Sequence, residues 1–167
     1  MTISKDLFLA ILAMDSYNRG YGAGIADGDQ NDTDGLGEAG SQIGSATILN
    51  IPLPQNAQAA GFYAVAYTVG AGVEGITPGT TVLSYRGTDG LTFGSDPVSG
   101  GGDILNGWLA GAGVPTSQTD LAIQFYQAAT GQTVWQTAAN TTVTGHSLGD
   151  RLAGLQARPF GNEAIAA

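Results

Sequence analysis

One pentapeptide near the carboxyl end of the chain has the residue types of nucleophilic catalysis. Residues 145–149 read Gly-His-Ser-Leu-Gly and follow a Thr-Thr-Val-Thr run at residues 141–144. Threonine and valine favour a strand, and glycines on both sides of Ser147 allow a tight turn between that strand and a following helix. A serine hydroxyl on such a turn can attack a carbonyl carbon once a base takes its proton. The pattern therefore predicts a nucleophile at Ser147, and the alternative is a glycine-rich loop that contains a serine by chance.

A serine nucleophile also needs hydrogen-bond donors directed at the oxyanion of the tetrahedral intermediate. One donor is expected from the backbone N–H of Leu148, the residue after the nucleophile. A second donor must come from another loop. Residues 82–89 read Val-Leu-Ser-Tyr-Arg-Gly-Thr-Asp, which is typical of a strand that leads into a loop able to present an N–H and a hydroxyl.

The chain has a single histidine, His146, next to the serine. A general base must come within about 3 Å of the proton that it takes, and adjacent residues at a strand–helix turn point in different directions. We therefore expect His146 to pack beside the turn as a neutral imidazole with one ring N–H hydrogen-bonded nearby. A role as general base is the alternative. Residues 151–167 contain neither Asp nor His, and Glu163 is the only acid there.

The apolar patterns predict the elements that position these residues. The expected elements are a helix at 4–18, a short strand at 45–51, an antiparallel pair of strands at 62–69 and 80–85, a helix at 117–130 and a strand at 141–144. Leu7, Ile11 and Met14 are expected to line one face of the first helix, widened by Phe8, Leu12 and Ala13. Leu121, Phe125 and Ala128 are expected on one face of the second helix. A strand–helix–strand crossover implies parallel pairing. The predicted fold class is α/β, a mixed β-sheet flanked by helices, with residues 1–167 in a single domain.

The two loop motifs together resemble the class 3 lipases, the fungal-lipase-like branch of the α/β-hydrolase superfamily. The resemblance depends on a strand followed by Arg86-Gly87-Thr88 and on the later Thr-Gly-His-Ser-Leu-Gly at 144–149, and it extends over residues 62–155. It implies a partial α/β-hydrolase fold, Ser147 as nucleophile, and an oxyanion hole formed by Thr88 and Leu148. The implied function is a lipase- or esterase-like hydrolase of neutral acyl esters that needs no cofactor.

The resemblance also assigns the place of the family's lid to the loop after Thr88. Ordinary core packing is the alternative for the large apolar residues of this loop, which are Leu91, Phe93, Trp108 and Leu109.

Two departures from the family pattern affect the expected activity. The family continues its pentapeptide with glycine and small residues, whereas this chain has Asp150 and Arg151. The triad order in the superfamily is Ser, Asp, His, and neither partner follows Ser147 in the expected order. We therefore expect the chain to be the N-terminal part of a longer lipase-like protein, without sheet strands beyond the one before Ser147, and to self-associate through an exposed sheet edge. The alternative is a non-catalytic scaffold or self-associating module.

Charge and composition exclude several partners. The net charge is −9 with five Lys and Arg residues, which lacks the basic surface that nucleic acids require and favours neutral substrates over anionic surfaces. The acidic run at 27–38 could hold calcium, but its spacing fails the EF-hand pattern, so a solvated loop is expected. The apolar run at 7–14 is too short to span a bilayer and is a poor secretion signal. The chain has no cysteine, so disulfide content does not indicate a compartment. The cytoplasm and secretion by a signal-independent route are both compatible with the sequence.

Overall fold

A computed structural model describes residues 2–21, 41–87, 117–132, 139–146 and 164–166. Ser147, Leu148 and Thr88 lie outside the described residues. So do the acidic run at 27–38, Asp150, Arg151 and Glu163, and the large apolar residues of the loop after Thr88.

Six strands of the described residues form one mixed sheet in chain order. The strands are β1 (Gln42–Ile43), β2 (Ala46–Leu49), β3 (Ala64–Val69), β4 (Thr81–Tyr85), β5 (Thr141–Gly145) and β6 (Ala164–Ala166). Neighbours from β1 to β4 pair antiparallel, whereas β4 pairs parallel with β5 and β5 pairs parallel with β6. The expected α/β class, the antiparallel pair and the parallel crossover are therefore confirmed.

The strand β6 corrects the expectation that the sheet has no strand beyond β5. Ala164–Ala166 pairs with the backbone of Val143–Gly145, so β5 is an interior strand. The strand β6 was difficult to predict, because it is three residues long and rich in alanine, which is depleted in strands. The expected single strand at 45–51 is also shorter than predicted and pairs with the additional strand β1.

The first helix, α1 (Lys5–Asp15), continues as a 3₁₀ turn at Ser16–Asn18. Phe8, Leu12 and Ala13 are buried as expected, together with Leu9. Leu7 and Ile11, which were expected at the centre of the buried face, are 56% and 40% exposed. The buried face also includes Asp15 and Ser16. The rotation of the helix about its axis places Asp15 in a buried polar network, which apolar periodicity does not reveal. Ser4 occupies the N-cap position without a side-chain capping bond.

The second helix, α2 (Ser117–Thr130), lies in the crossover between β4 and β5. Its bounds agree with the prediction, and it ends at Gly131, whose φ of 68° suits a helix C-terminus. Leu121 and Phe125 are buried as expected, whereas Ala128 is exposed. Ala122 and Tyr126 are buried in its place, because the contact face of the helix is rotated toward them.

The two helices pack on opposite faces of the sheet. On one face, α1 packs with apolar residues of β2, β3 and β4, and on the other, α2 packs against an aromatic cluster that includes Phe62 and Tyr85. Side chains alternate between faces along a strand, so Val82 faces α1 and Leu83 faces α2. No helix of the residues described above is long and apolar enough to cross a membrane.

Candidate functional site

The carboxyl ends of β4 and β5 bring the two predicted loops side by side. The last register pair of these parallel strands is Tyr85 with Gly145. Arg86 and Gly87 therefore follow the end of β4, and His146 follows the end of β5 beside them. In open α/β sheets, ligands bind outside the carboxyl ends of parallel strands. The carboxyl ends of β4 and β5, called this edge below, are therefore the candidate site.

A single hydroxyl bridges the two strand ends. The Gly87 backbone N–H donates to the Tyr17 hydroxyl at 3.0 Å, and the same hydroxyl lies 3.1 Å from Nδ1 of His146. The two rings meet edge to face, with centroids 5.7 Å apart and an interplanar angle of 77°. Tyr17 thus contacts residues that follow two different strands.

The Tyr17 hydroxyl and Nδ1 of His146 can share their hydrogen bond in two ways. The hydroxyl donates when the ring proton lies on Nε2, and it accepts when the ring proton lies on Nδ1, since a phenolic oxygen can accept more than one hydrogen bond. In both arrangements His146 packs against Tyr17 through Nδ1, as expected for a side chain beside the turn.

Helix α1 reaches this edge because it is hydrogen-bonded to both parallel strands. The buried hydroxyls of Ser84 and Thr144, which are register partners, donate to the backbone carbonyls of Leu12 at 3.0 Å and Leu9 at 3.4 Å. Both residues lie on the sheet face that packs against α1, where the other buried side chains are mostly apolar. These bonds hold the helix across β4 and β5, so the residues that follow it lie at the strand ends.

A buried network fixes the chain on both sides of Tyr17. The Asp15 carboxylate accepts from Nε of Arg19 and from the Tyr67 hydroxyl at 2.8 Å. Burial disfavours the charged Arg19, but its hydrogen bond to Asp15 and the Asp15 charge outweigh this effect and raise its pKa. Burial, followed by the nearby Asp15 charge, raises the pKa of Tyr67. Tyr17 therefore lies between two residues joined through buried side chains.

Arg86 anchors the chain after Tyr17. Its guanidinium lies between two aromatic rings, 4.8 Å from the Tyr21 centroid and 4.4 Å from the Tyr63 centroid. It donates to the backbone carbonyls of Arg19 at 3.1 Å and Tyr21 at 2.9 Å. Gly20 lies between them with a φ of 70°, and a Cβ there would overlap the Tyr63 ring. The arginine of the Arg-Gly-Thr motif is therefore buried in a structural contact.

The predicted catalytic residues lie directly beyond the residues that Tyr17 contacts. Ser147 and Leu148 follow His146, and Thr88 follows Gly87, but all three are outside the described residues. Sequence reasoning missed Tyr17. The available signal was the alternation of Asp15, Tyr17, Arg19 and Tyr21 after a helix, since each of these polar side chains makes a hydrogen bond.

One other candidate site of the described residues lies away from these strand ends. An open groove of about 740 Å³ beside β2 and β3 is lined mainly by apolar residues and contains neither Gly87 nor His146. Within the part of the chain that the structure describes, no group of three or more His, Cys, Asp or Glu residues could hold a metal ion. The possible calcium site at 27–38 lies outside that part.

Comparisons of the chain with protein-family models, with curated proteins and with solved structures gave no match.

Proposed function

We propose that the chain is a serine hydrolase of the lipase or esterase type that acts on neutral acyl esters. In this proposal the chain has a partial α/β-hydrolase fold, and Ser147 is the nucleophile. The backbone N–H groups of Thr88 and Leu148 form the oxyanion hole. The supporting observation is the pairing of β4 with β5, which puts Gly87 and His146 within reach of one hydroxyl. These are the residues directly before Thr88 and Ser147.

The proposed reaction begins with attack of the Ser147 Oγ on the ester carbonyl carbon. The carbonyl oxygen becomes the oxyanion, and the two N–H donors stabilise its charge more strongly than that of the ground-state carbonyl. The tetrahedral intermediate then collapses, the ester C–O bond breaks, and the leaving alkoxide takes a proton from water. A water molecule hydrolyses the resulting acyl-serine, which releases the acid and the free Ser147 hydroxyl. The acidic surface implied by the net charge of −9 favours an uncharged ester.

The proposal assigns no proton transfer to His146. Its Nδ1 is hydrogen-bonded with Tyr17, and adjacent residues at a strand–helix turn point in different directions, so water takes the serine proton and the reaction is slow. We therefore expect a weak esterase with a rate far below that of a complete triad enzyme.

A short-chain nitrophenyl ester assay tests this function. Ser147→Ala should abolish hydrolysis above background, because it removes the attacking oxygen. Ser4→Ala is the matched control, since Ser4 is exposed and makes no side-chain capping bond, and it should retain the wild-type rate. Peptide mapping after treatment with a fluorophosphonate should find the label on Ser147. Equal hydrolysis by the wild type and Ser147→Ala would refute the assignment.

The second candidate is a non-catalytic, self-associating scaffold, favoured by the engagement of the chain's single histidine with Tyr17. An unlabelled Ser147, together with a sedimentation mass that rises with concentration, would support this candidate. An edge strand provides the proposed contact. Among the described strands, β1 is at one edge of the sheet and β6 at the other, and unpaired strand edges associate readily.

A further inference from the structure

We propose that Tyr17 is a positioning residue that holds Gly87 and His146, the residues directly before the proposed oxyanion-hole and nucleophile positions, in fixed places relative to each other. This role rests on the proposed hydrolase function. Tyr17 acts through Gly87 and His146 and needs no contact with the substrate.

The first argument is that the two contacts of Tyr17 fall directly before the two functional positions. Gly87 is buried, and a buried backbone N–H requires a hydrogen-bond partner. The ladder between β4 and β5 has its last pair at Tyr85 and Gly145. The Tyr17 hydroxyl satisfies the Gly87 N–H beyond that ladder and so fixes the peptide that leads into Thr88.

The second argument concerns the other half of the bridge. The same hydroxyl shares a hydrogen bond with Nδ1 of His146 at 3.1 Å, and His146 directly precedes Ser147 in the sequence. One oxygen atom therefore connects Gly87 with His146 and defines the spacing between them. A displacement of about 1 Å in a reacting geometry can lower a rate about 100-fold, so this spacing controls the alignment of nucleophile and oxyanion hole.

The third argument is that Tyr17 itself is held in place. The Asp15–Arg19 pair and the Tyr67 hydroxyl hold the backbone on either side of it. Arg86 holds the carbonyls of Arg19 and Tyr21. The hydroxyl therefore has a fixed position relative to the sheet, which a positioning role requires.

The bridge can be measured without any activity, because the chain has one histidine and its nitrogen resonances are unambiguous. In ¹⁵N NMR, Tyr17→Phe should shift the resonance of His146 Nδ1, because that nitrogen loses its hydrogen-bond partner. The amide of Gly87 should exchange its hydrogen at least about fivefold faster in the variant, which corresponds to the loss of one hydrogen bond.

The kinetic test compares two tyrosines of the same segment. Tyr17→Phe should lower the Ser147-dependent kcat about tenfold or more, with KM changed less than about twofold, because only the alignment of reacting groups is lost. Tyr21→Phe is the matched control. It also removes a hydroxyl, which donates to the Phe62 carbonyl at 2.7 Å, but it leaves the bridge intact and should retain kcat and the exchange rate of Gly87.

The outcomes separate this role from the proposed function. A wild-type chain without Ser147-dependent hydrolysis refutes the function and this role with it. An active chain in which Tyr17→Phe folds and keeps the wild-type kcat refutes the role alone, as does a His146 Nδ1 resonance that is unchanged in Tyr17→Phe. If Tyr17→Phe does not fold, His146→Phe removes Nδ1 while keeping an aromatic ring. An unchanged kcat in that variant also overturns the role.

Discussion

Replacement of Asp15 by Asn tests whether the buried network beside Tyr17 stabilises the fold. The side chains of Arg19 and Asp15 are 8% and 5% exposed, and Tyr67 donates to the same carboxylate oxygen as Arg19. Asparagine keeps a carbonyl acceptor at this position and removes the negative charge. The perturbation therefore leaves the Arg19 guanidinium buried without its counter-ion.

The expected magnitude follows from that burial. Breaking a buried ion pair by removing one partner costs about 3–5 kcal/mol in the free energy of unfolding, against a total stability of about 5–15 kcal/mol for a typical domain. For a domain of this size, each kcal/mol lowers Tm by roughly 2–4 °C. Asp15→Asn should therefore lower Tm by about 6–20 °C.

Urea unfolding followed by circular dichroism measures this change. Asp6→Asn is the matched control, because Asp6 is exposed in the first turn of α1. It should lose only about 0.3–1 kcal/mol through the helix dipole. The double variant Asp15→Asn with Arg19→Met removes both charges and should recover most of the loss, because methionine retains the apolar stem of the arginine.

A loss below about 1 kcal/mol for Asp15→Asn would contradict this reasoning. Such a result would mean that the pair behaves as a solvated surface ion pair. A double variant as unstable as the single one would show that the cost comes from packing and not from the unpaired charge.

Two further predictions concern the packing of α1. The pKa of Tyr67 is raised in the folded state, so its contribution is fully present below the unfolded pKa of about 10 and is lost as pH rises above it. Stability from urea titrations should therefore fall above about pH 10, and Tyr67→Phe should reduce this fall while costing about 1.5–3 kcal/mol at neutral pH through the lost bond to Asp15. Leu9 is 0% exposed and Leu7 is 56% exposed. Leu9→Ala should thus cost about 2–5 kcal/mol and Leu7→Ala less than about 0.5 kcal/mol, and similar losses would mean that the helix buries the face expected from its sequence.

Elements with strong local signals were predictable from the sequence. The bounds of α2 follow from its apolar spacing and from Gly131, which takes the left-handed conformation after the helix. The strands β3 and β4 follow from runs of aromatic and branched residues separated by turn residues. In each case the information lies within a few residues of the element, so no distant contact was needed.

The buried face of α1 was not predictable in the same way. Leu7, Ile11 and Met14 form an apolar stripe, but the helix is rotated so that Asp15 reaches Arg19 and Tyr67. A carboxylate is rarely buried without a partner. One partner of Asp15, Arg19, is four residues away, but the other, Tyr67, lies 52 residues away in β3. Apolar periodicity alone therefore placed the centre of the buried face at Leu7 and Ile11, which are exposed.

The candidate site was predictable only as two separate motifs. The pentapeptide at 145–149 and the Arg-Gly-Thr run each indicate a loop after a strand, and parallel pairing explains why they meet. Tyr17 carries no comparable signal, since its contact with His146 spans 129 residues of sequence.

The alternation of side chains along β4 and β5 explains why Tyr17 meets this edge. Ser84 and Thr144 face α1 and donate to its carbonyls. Two residues further along each strand, the same face presents Arg86 and His146, which contact the segment after the helix. An apolar residue at any of these positions would pack against α1 without fixing its direction, because the hydrophobic effect is non-directional. The polar residues specify where the helix ends, and that end determines which hydroxyl reaches the site.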